Sequence, residues 1–282
     1  MSNSSGKKPN RKRVIPGFGL SMGLTITTLS VVVFIPLCAL ALTAMQLSPS
    51  EFIQTITRAR VLSSFRVSIL CSLIAAVINL IMGVITAWVL VRYDFPGKRL
   101  IDGLIELPFA LPTAIAGITL TSLLVETGPL GAMLSPLNIK ISYTPVGIII
   151  ALIFVGIPFV VRAIEPVLKT LDAGYEEAAD MMGSTRKNTF LRVIWPEIRP
   201  AALTGFALAF ARGLGEYGSV VFIAGNKPYS TEVMPLMIMS QLQEYDYGEA
   251  TALALCMLAV SFVMLLIMNI IQIRAGLRTK QG

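Results

Sequence analysis

The sequence predicts an all-α integral membrane protein of six transmembrane helices, and three observations carry that expectation. Of its 282 residues, 55% are hydrophobic and only 14% charged, with a mean hydropathy of +0.75, a balance that water-soluble domains do not show. Six runs of roughly 20 apolar residues follow one another, each enough to cross ~30 Å of hydrocarbon at 1.5 Å per residue. Lys and Arg are concentrated in alternate connections between those runs, as orientation in a membrane requires.

Taken in order, residues 1–16 form a polar, basic cytoplasmic tail. The apolar segment after it, Leu20–Met45, is too long, and too poor in a small-residue cleavage site, to be a removed signal. With a short outer loop, Ser48–Ser63, it makes an additional N-terminal unit at 17–63, ahead of a five-helix block at 64–274. The spans of that block are expected at Val67–Val91, Leu104–Leu124, Val146–Ile164, Ala201–Ile223 and Ala250–Ile273, and residues 275–282 are a second cytoplasmic tail. With the N-terminus inside, 17 of the 23 Lys and Arg are cytosolic; Arg58, Arg60, Arg66, Lys140 and Lys227 are outside, and Arg212 lies in a span. Both termini are then cytoplasmic. Orientation accounts for the net charge of +7, so neither nucleic acid nor an anionic substrate gains support from it.

Several chemistries are excluded. The chain has no His, which removes the usual base and a common metal ligand. Cys38, Cys71 and Cys256 fall in or against apolar spans and read as packing residues, not as a disulfide framework. No G-x-x-x-x-G-K-[ST] segment is present, so this chain carries no ATP or Mg site of that kind. Gly213-Leu214-Gly215-Glu216-Tyr217-Gly218 satisfies the letters of a dinucleotide fingerprint, but that fingerprint needs a strand–helix unit in water.

The cytosolic segment at about 165–198 is the most informative. Tyr175, Ala178, Ala179 and Met182 share one face of a helix at i, i+3, i+4, i+7, while Glu176, Glu177 and Asp180 crowd the other. Gly183 stands where a helix ends in a left-handed residue, and Ser184 is placed to cap a second helix with Phe190, Val193 and Ile194 as its stripe and Pro196 as its end. Such a helix-turn-helix can enter a partner's groove.

Inside the fifth span Arg212 and Glu216 are four apart, on one helix face. Ionisable groups there cost a few kcal/mol each and are expected to pair. A packing pair is favoured, because a paired Arg has little charge left; the alternative is that Arg212 offers donors to an oxyanion in a pathway. Pro108 and Pro112 at the inner start of the third span and Pro158 near the inner end of the fourth each remove a backbone donor and are expected to kink their helices, for packing or to line a passage. Asp102 and Glu106 are read as solvated or paired to Lys98 and Arg99. Glu232, Glu244, Asp246 and Glu249 form an acidic outer loop, either a dock for a basic partner edge or a solvated face.

Glu177-Ala178-Ala179, Gly183, Val193 and Pro196 resemble the coupling (EAA) loop of ABC importer permeases, with Trp195 in place of the usual Leu. Leu107-Pro108-Phe109-Ala110-Leu111-Pro112-Thr113 and Ala211-Arg212-Gly213-Leu214-Gly215-Glu216-Tyr217-Gly218 are similar to segments of the sulfate/thiosulfate and molybdate branch, and Arg92-Tyr93-Asp94-Phe95-Pro96-Gly97 and Ile157-Pro158-Phe159-Val160-Val161-Arg162 also match. The resemblance implies a type I importer permease fold and a non-catalytic subunit of a bacterial inner-membrane importer for sulfate or thiosulfate. By the same resemblance its partners are a second homologous permease, two ATPase subunits that bind ATP and Mg, an external sulfate/thiosulfate-binding protein and membrane lipid. Import of molybdate or another oxyanion by the same architecture stays open, as does an ion-coupled secondary transporter.

Overall fold

The computed structural model describes residues 18–172 and 174–279, and the described residues are helices and their connections, without a strand. In chain order, α1 (Phe18–Leu29) runs through one π-helical turn into α2 (Ile35–Ala44), followed by α3 (Pro49–Thr57), α4 (Ala59–Arg92), α5 (Lys98–Ala110) and α6 (Thr113–Leu124). Next come α7 (Pro129–Leu134), α8 (Pro145–Thr170), α9 (Gly174–Met181) and α10 (Arg186–Thr189). The chain ends with α11 (Trp195–Leu214), α12 (Val220–Ile223), α13 (Met234–Gln243) and α14 (Tyr247–Thr279).

Among the described residues, five helical stretches are long and apolar enough to cross a membrane: Phe18–Ala44, Ala59–Arg92, Thr113–Leu137, Pro145–Thr170 and Tyr247–Ile273. The expected fifth span, Ala201–Ile223, is not a single helix. α11 has 20 residues, ~30 Å of rise, but carries Glu197, Arg199 and Arg212 and stops at Leu214, and helix resumes only at Val220. The expected third span is also divided. Pro112 has no N–H and pushes Leu111 into an extended conformation (φ −87°, ψ 135°), separating α5 from α6. Pro108 and Pro158, by contrast, lie buried within unbroken helices. The outer loop expected at Ser48–Ser63 contains α3 and the start of α4. There Ser48 and Glu51 form a capping box, and bonds from the Ser48 hydroxyl and then its N–H hold the Glu51 carboxyl below its usual range.

α4, α8 and α11 form the core of the bundle. Lipid supplies no hydrophobic drive between helices, so close approach through small residues matters instead. On α4 the buried face is Ser64, Ser68, Ser72, Ala76, Gly83 and Ala87, spaced at helical intervals. A Cβ at Gly83 would lie 2.7 Å from Val160 Cβ, and one at Gly205 would lie 2.7 Å from Val160 Cα. Gly83 thus admits the Val160 side chain against α4 and Gly205 brings α11 onto the α8 backbone at Val160, and one added methyl at either glycine costs ~1–3 kcal/mol. Ser68 Oγ accepts from the Met234 N–H at 2.8 Å and ties α13 to the same face.

Two charge assignments change. The acidic outer loop is half neutralised within the chain: Glu232, fully buried, takes Nε and Nη2 of Arg60 at 2.8 and 2.6 Å, and Glu249 pairs with Arg58 at 2.5 Å. Asp246 caps α14 through the Glu249 N–H. Asp102 and Glu106 do not pair with Lys98 or Arg99; both lie within 2.8 Å of the Arg162 guanidinium, which also takes Glu165. Lys98 turns back to Asp94 and holds that carboxyl below its usual range.

Candidate functional site

α9 stands below the bundle, on the same side as the ends of α4 and α8. It ends in a Schellman motif: Ser184 N–H reaches Ala179 O at 3.0 Å and Gly183 N–H reaches Asp180 O at 2.9 Å, with Gly183 at φ +77°. A side chain at 183 would be strained by ~1–2 kcal/mol. The expected apolar stripe is not packed away. Only Ala179 is buried, whereas Tyr175 is 60% and Met182 82% exposed, and Glu177 and Ala178 are exposed as well. Two clefts flank the helix, one of about 580 Å³ against Tyr175, Val193 and Pro196, the other of about 550 Å³ against Glu177, Asp180 and Phe190. A short helix that shows its apolar and acidic side chains outward is a docking shape.

The second limb departs from expectation in two details. Thr185, not Ser184, caps α10, through the Asn188 N–H. Pro196 does not end a helix; it sits in the first turn of α11, and the path stays helical from Arg186 to Leu214 through a π-helical turn at Phe190–Ile194. Pro196 has no N–H for the Arg192 carbonyl, and the wider turn lies directly before it. Trp195 is half-buried, with its ring 6.4 Å from Phe190, whose own ring meets Trp88 edge-on at 5.9 Å.

Higher in the membrane the two interrupted helices meet. A Cβ at Gly218 would be 2.1 Å from Thr113 Oγ1, and one at Gly117 would be 2.4 Å from the Ser219 carbonyl oxygen, so the α6 start and the α11–α12 break touch backbone to backbone. Glu216, 2% exposed, lies in that break and not on the helix of Arg212. The two side chains nevertheless pair at 2.5 Å. The other carboxylate oxygen accepts the Ser219 N–H at 2.8 Å and its hydroxyl at 3.0 Å. One carboxylate therefore neutralises an arginine and fixes Ser219, the residue from which the helix resumes. Arg212 keeps 36% of its side chain exposed.

A broken-helix bundle with an outward-facing loop helix has known relatives. A family described as the inner membrane component of binding-protein-dependent transport systems matches residues 79–279. The chain belongs to that family. It is 45% identical over 267 residues, 95% of this chain and 96% of the relative, to the sulfate transport system permease protein CysT of Escherichia coli. Identity to the CysT protein of Synechocystis sp. is 39%, covering 96% and 94%. Among solved structures, a bacterial ABC transporter that imports the acidic polysaccharide alginate matches with a TM-score of 0.76 at 18% identity, covering 92% of this chain and 96% of that one. The methionine ABC transporter MetNI in an inward-facing form matches at 0.59 and 14% identity, covering 81% and 99%. These structural likenesses show the fold, that of an ABC importer permease.

Two arginines of this permease hold more than the sequence alone predicts. Arg92 has no local partner that signals its role, yet it holds Glu176, the α8 carbonyl of Leu168 and the carbonyl of Leu171 just past α8. Arg162 gathers three carboxylates. Part of that cluster had a local signal, since Arg162, Glu165 and Lys169 stand at i, i+3 and i+7, spacings that pair on a helix.

Proposed function

We propose that this chain is the translocation subunit of an ATP-driven importer for sulfate and thiosulfate, itself without catalytic residues. The observation that carries the proposal is the 45% identity, over 95% of the chain, to a sulfate transport permease. A binding protein outside would deliver the anion to a pathway formed with a second, homologous permease. Two ATPase subunits inside would supply the work. Glu177, Ala178, Ala179 and Gly183 on the loop helix, with Val193 and Pro196 behind it, are the surface offered to an ATPase, and the exposure of α9 between two clefts supports that role. The excess of basic residues in the connections that include α9 supports a cytoplasmic loop and cytoplasmic termini.

The experiment is uptake of radiolabelled sulfate and of molybdate in a strain lacking this chain, complemented with wild type, Glu177→Lys or Gly183→Val. Wild type is expected to restore sulfate uptake. Both variants are expected to stay in the membrane, lose uptake and release the ATPase on purification. Normal uptake by both variants would remove the docking role; molybdate uptake without sulfate uptake would replace the substrate.

A further inference from the structure

The α9 helix is joined to the bundle by very little. Of its side chains only Ala179 is buried, and its one ion pair among the described residues is Glu176 with Arg92. Arg92 is the last residue of α4, the helix most extensively packed against α8 and α11. Its guanidinium donates from Nε to Glu176 at 2.8 Å, from Nη1 to the Leu168 carbonyl at 3.3 Å and from Nη2 to the Leu171 carbonyl at 3.0 Å. Leu168 lies in the last turn of α8 and Leu171 is its C-cap, and carbonyls at a helix C-terminus have no partner within their own helix. The same guanidinium lies 5.7 Å from the Trp88 ring, and Trp88 bears edge-on on Phe190. One side chain thus touches the segment entering the loop and the loop helix itself, and through Trp88 it reaches the segment leaving the loop.

We infer that Arg92 is the positioning residue that transmits movement of α9 into α4 and the bundle. The inference deepens the proposed function and rests on it, because it supposes that an ATPase moves α9. A planar fork can hold a carboxylate, two carbonyls and a ring face at once, whereas an ammonium is a single point of charge on a flexible stem. Lysine should therefore keep the charge and lose the linkage. The role differs from docking: Arg92 is half-buried behind α9, and the side chains facing outward are others.

The test uses the complete complex in proteoliposomes, with sulfate uptake and ATP hydrolysis measured on the same preparation. Arg92→Lys is expected to retain the ATPase and at least half of the hydrolysis rate while sulfate moved per ATP falls about tenfold or more. Glu176→Gln keeps an acceptor for the guanidinium and should lower that ratio only about two- to threefold. An unchanged ratio in Arg92→Lys would overturn the inference, as would loss of the ATPase from that complex, which would make Arg92 part of the docking surface. If Arg92→Lys fails to assemble, Glu176→Ala, altered only on exposed α9, decides by the same ratio. A wild-type complex that moves no sulfate would instead refute the proposed function, and the ratio measured with the anion it does move would still judge Arg92.

Discussion

Replacing Arg212 with methionine is expected to destabilise the folded permease by roughly 3 kcal/mol. Removing one partner of a buried ion pair costs ~3–5 kcal/mol, and two features place this site at the lower end. Glu216 keeps both bonds from Ser219, and the Arg212 side chain is 36% exposed, so solvent already screens part of the attraction. Two double variants then separate charge from the bonds to Ser219. Arg212→Met with Glu216→Leu removes both charges but leaves the buried Ser219 N–H without an acceptor, at ~1–3 kcal/mol, so recovery is partial. Arg212→Met with Glu216→Gln removes both charges and keeps an amide oxygen for Ser219, leaving a deficit of ~1 kcal/mol. The assay is the apparent melting point in detergent, followed by the monodisperse fraction on size exclusion. The expected order is wild type, Met/Gln, Met/Leu, then Arg212→Met alone. A single variant as stable as wild type, or a Met/Gln double no better than the single, would refute the reasoning.

Gly117→Ala would place its Cβ 2.4 Å from the Ser219 carbonyl oxygen, against backbone that cannot swing aside; the folded yield should drop sharply, whereas Gly103→Ala, with open space around it, should not change it. Orientation is checked by cysteine labelling in intact cells: Lys227→Cys should react with an impermeant maleimide from outside and Lys187→Cys only after permeabilisation, and the reverse pattern would invert the topology and remove the proposed coupling role of α9.

The span pattern and the loop helix were legible because their signals are local. A run of apolar residues long enough for the membrane, a glycine after an amphipathic turn and a bias in Lys and Arg can each be read from neighbours in the chain. Gly183 shows this well: a left-handed residue closing α9 was expected from its place after the stripe alone. Local reading failed where two signals compete within a few residues. Leu104–Leu124 and Ala201–Ile223 both read as continuous apolar runs, yet Pro112 and the Gly215–Ser219 segment divide them, and hydropathy carries no record of a backbone break. It also placed Glu216 on the helix of Arg212, four residues away, although that helix had already ended.

By itself, then, the sequence determined that the chain is helical, membrane-embedded, devoid of histidine chemistry and furnished with an amphipathic helix and turn between two apolar spans. Only the tertiary structure decided who meets whom. Arg92 and Glu176 are 84 positions apart, Arg60 and Glu232 are 172 apart, and Thr113 faces Gly218 across two interrupted helices. Periodicity tells which face of a helix is apolar but not which neighbour that face will find. In a bilayer the apolar faces are nearly interchangeable, and helix order is chosen by the few places where small residues admit close approach and buried polar groups find partners.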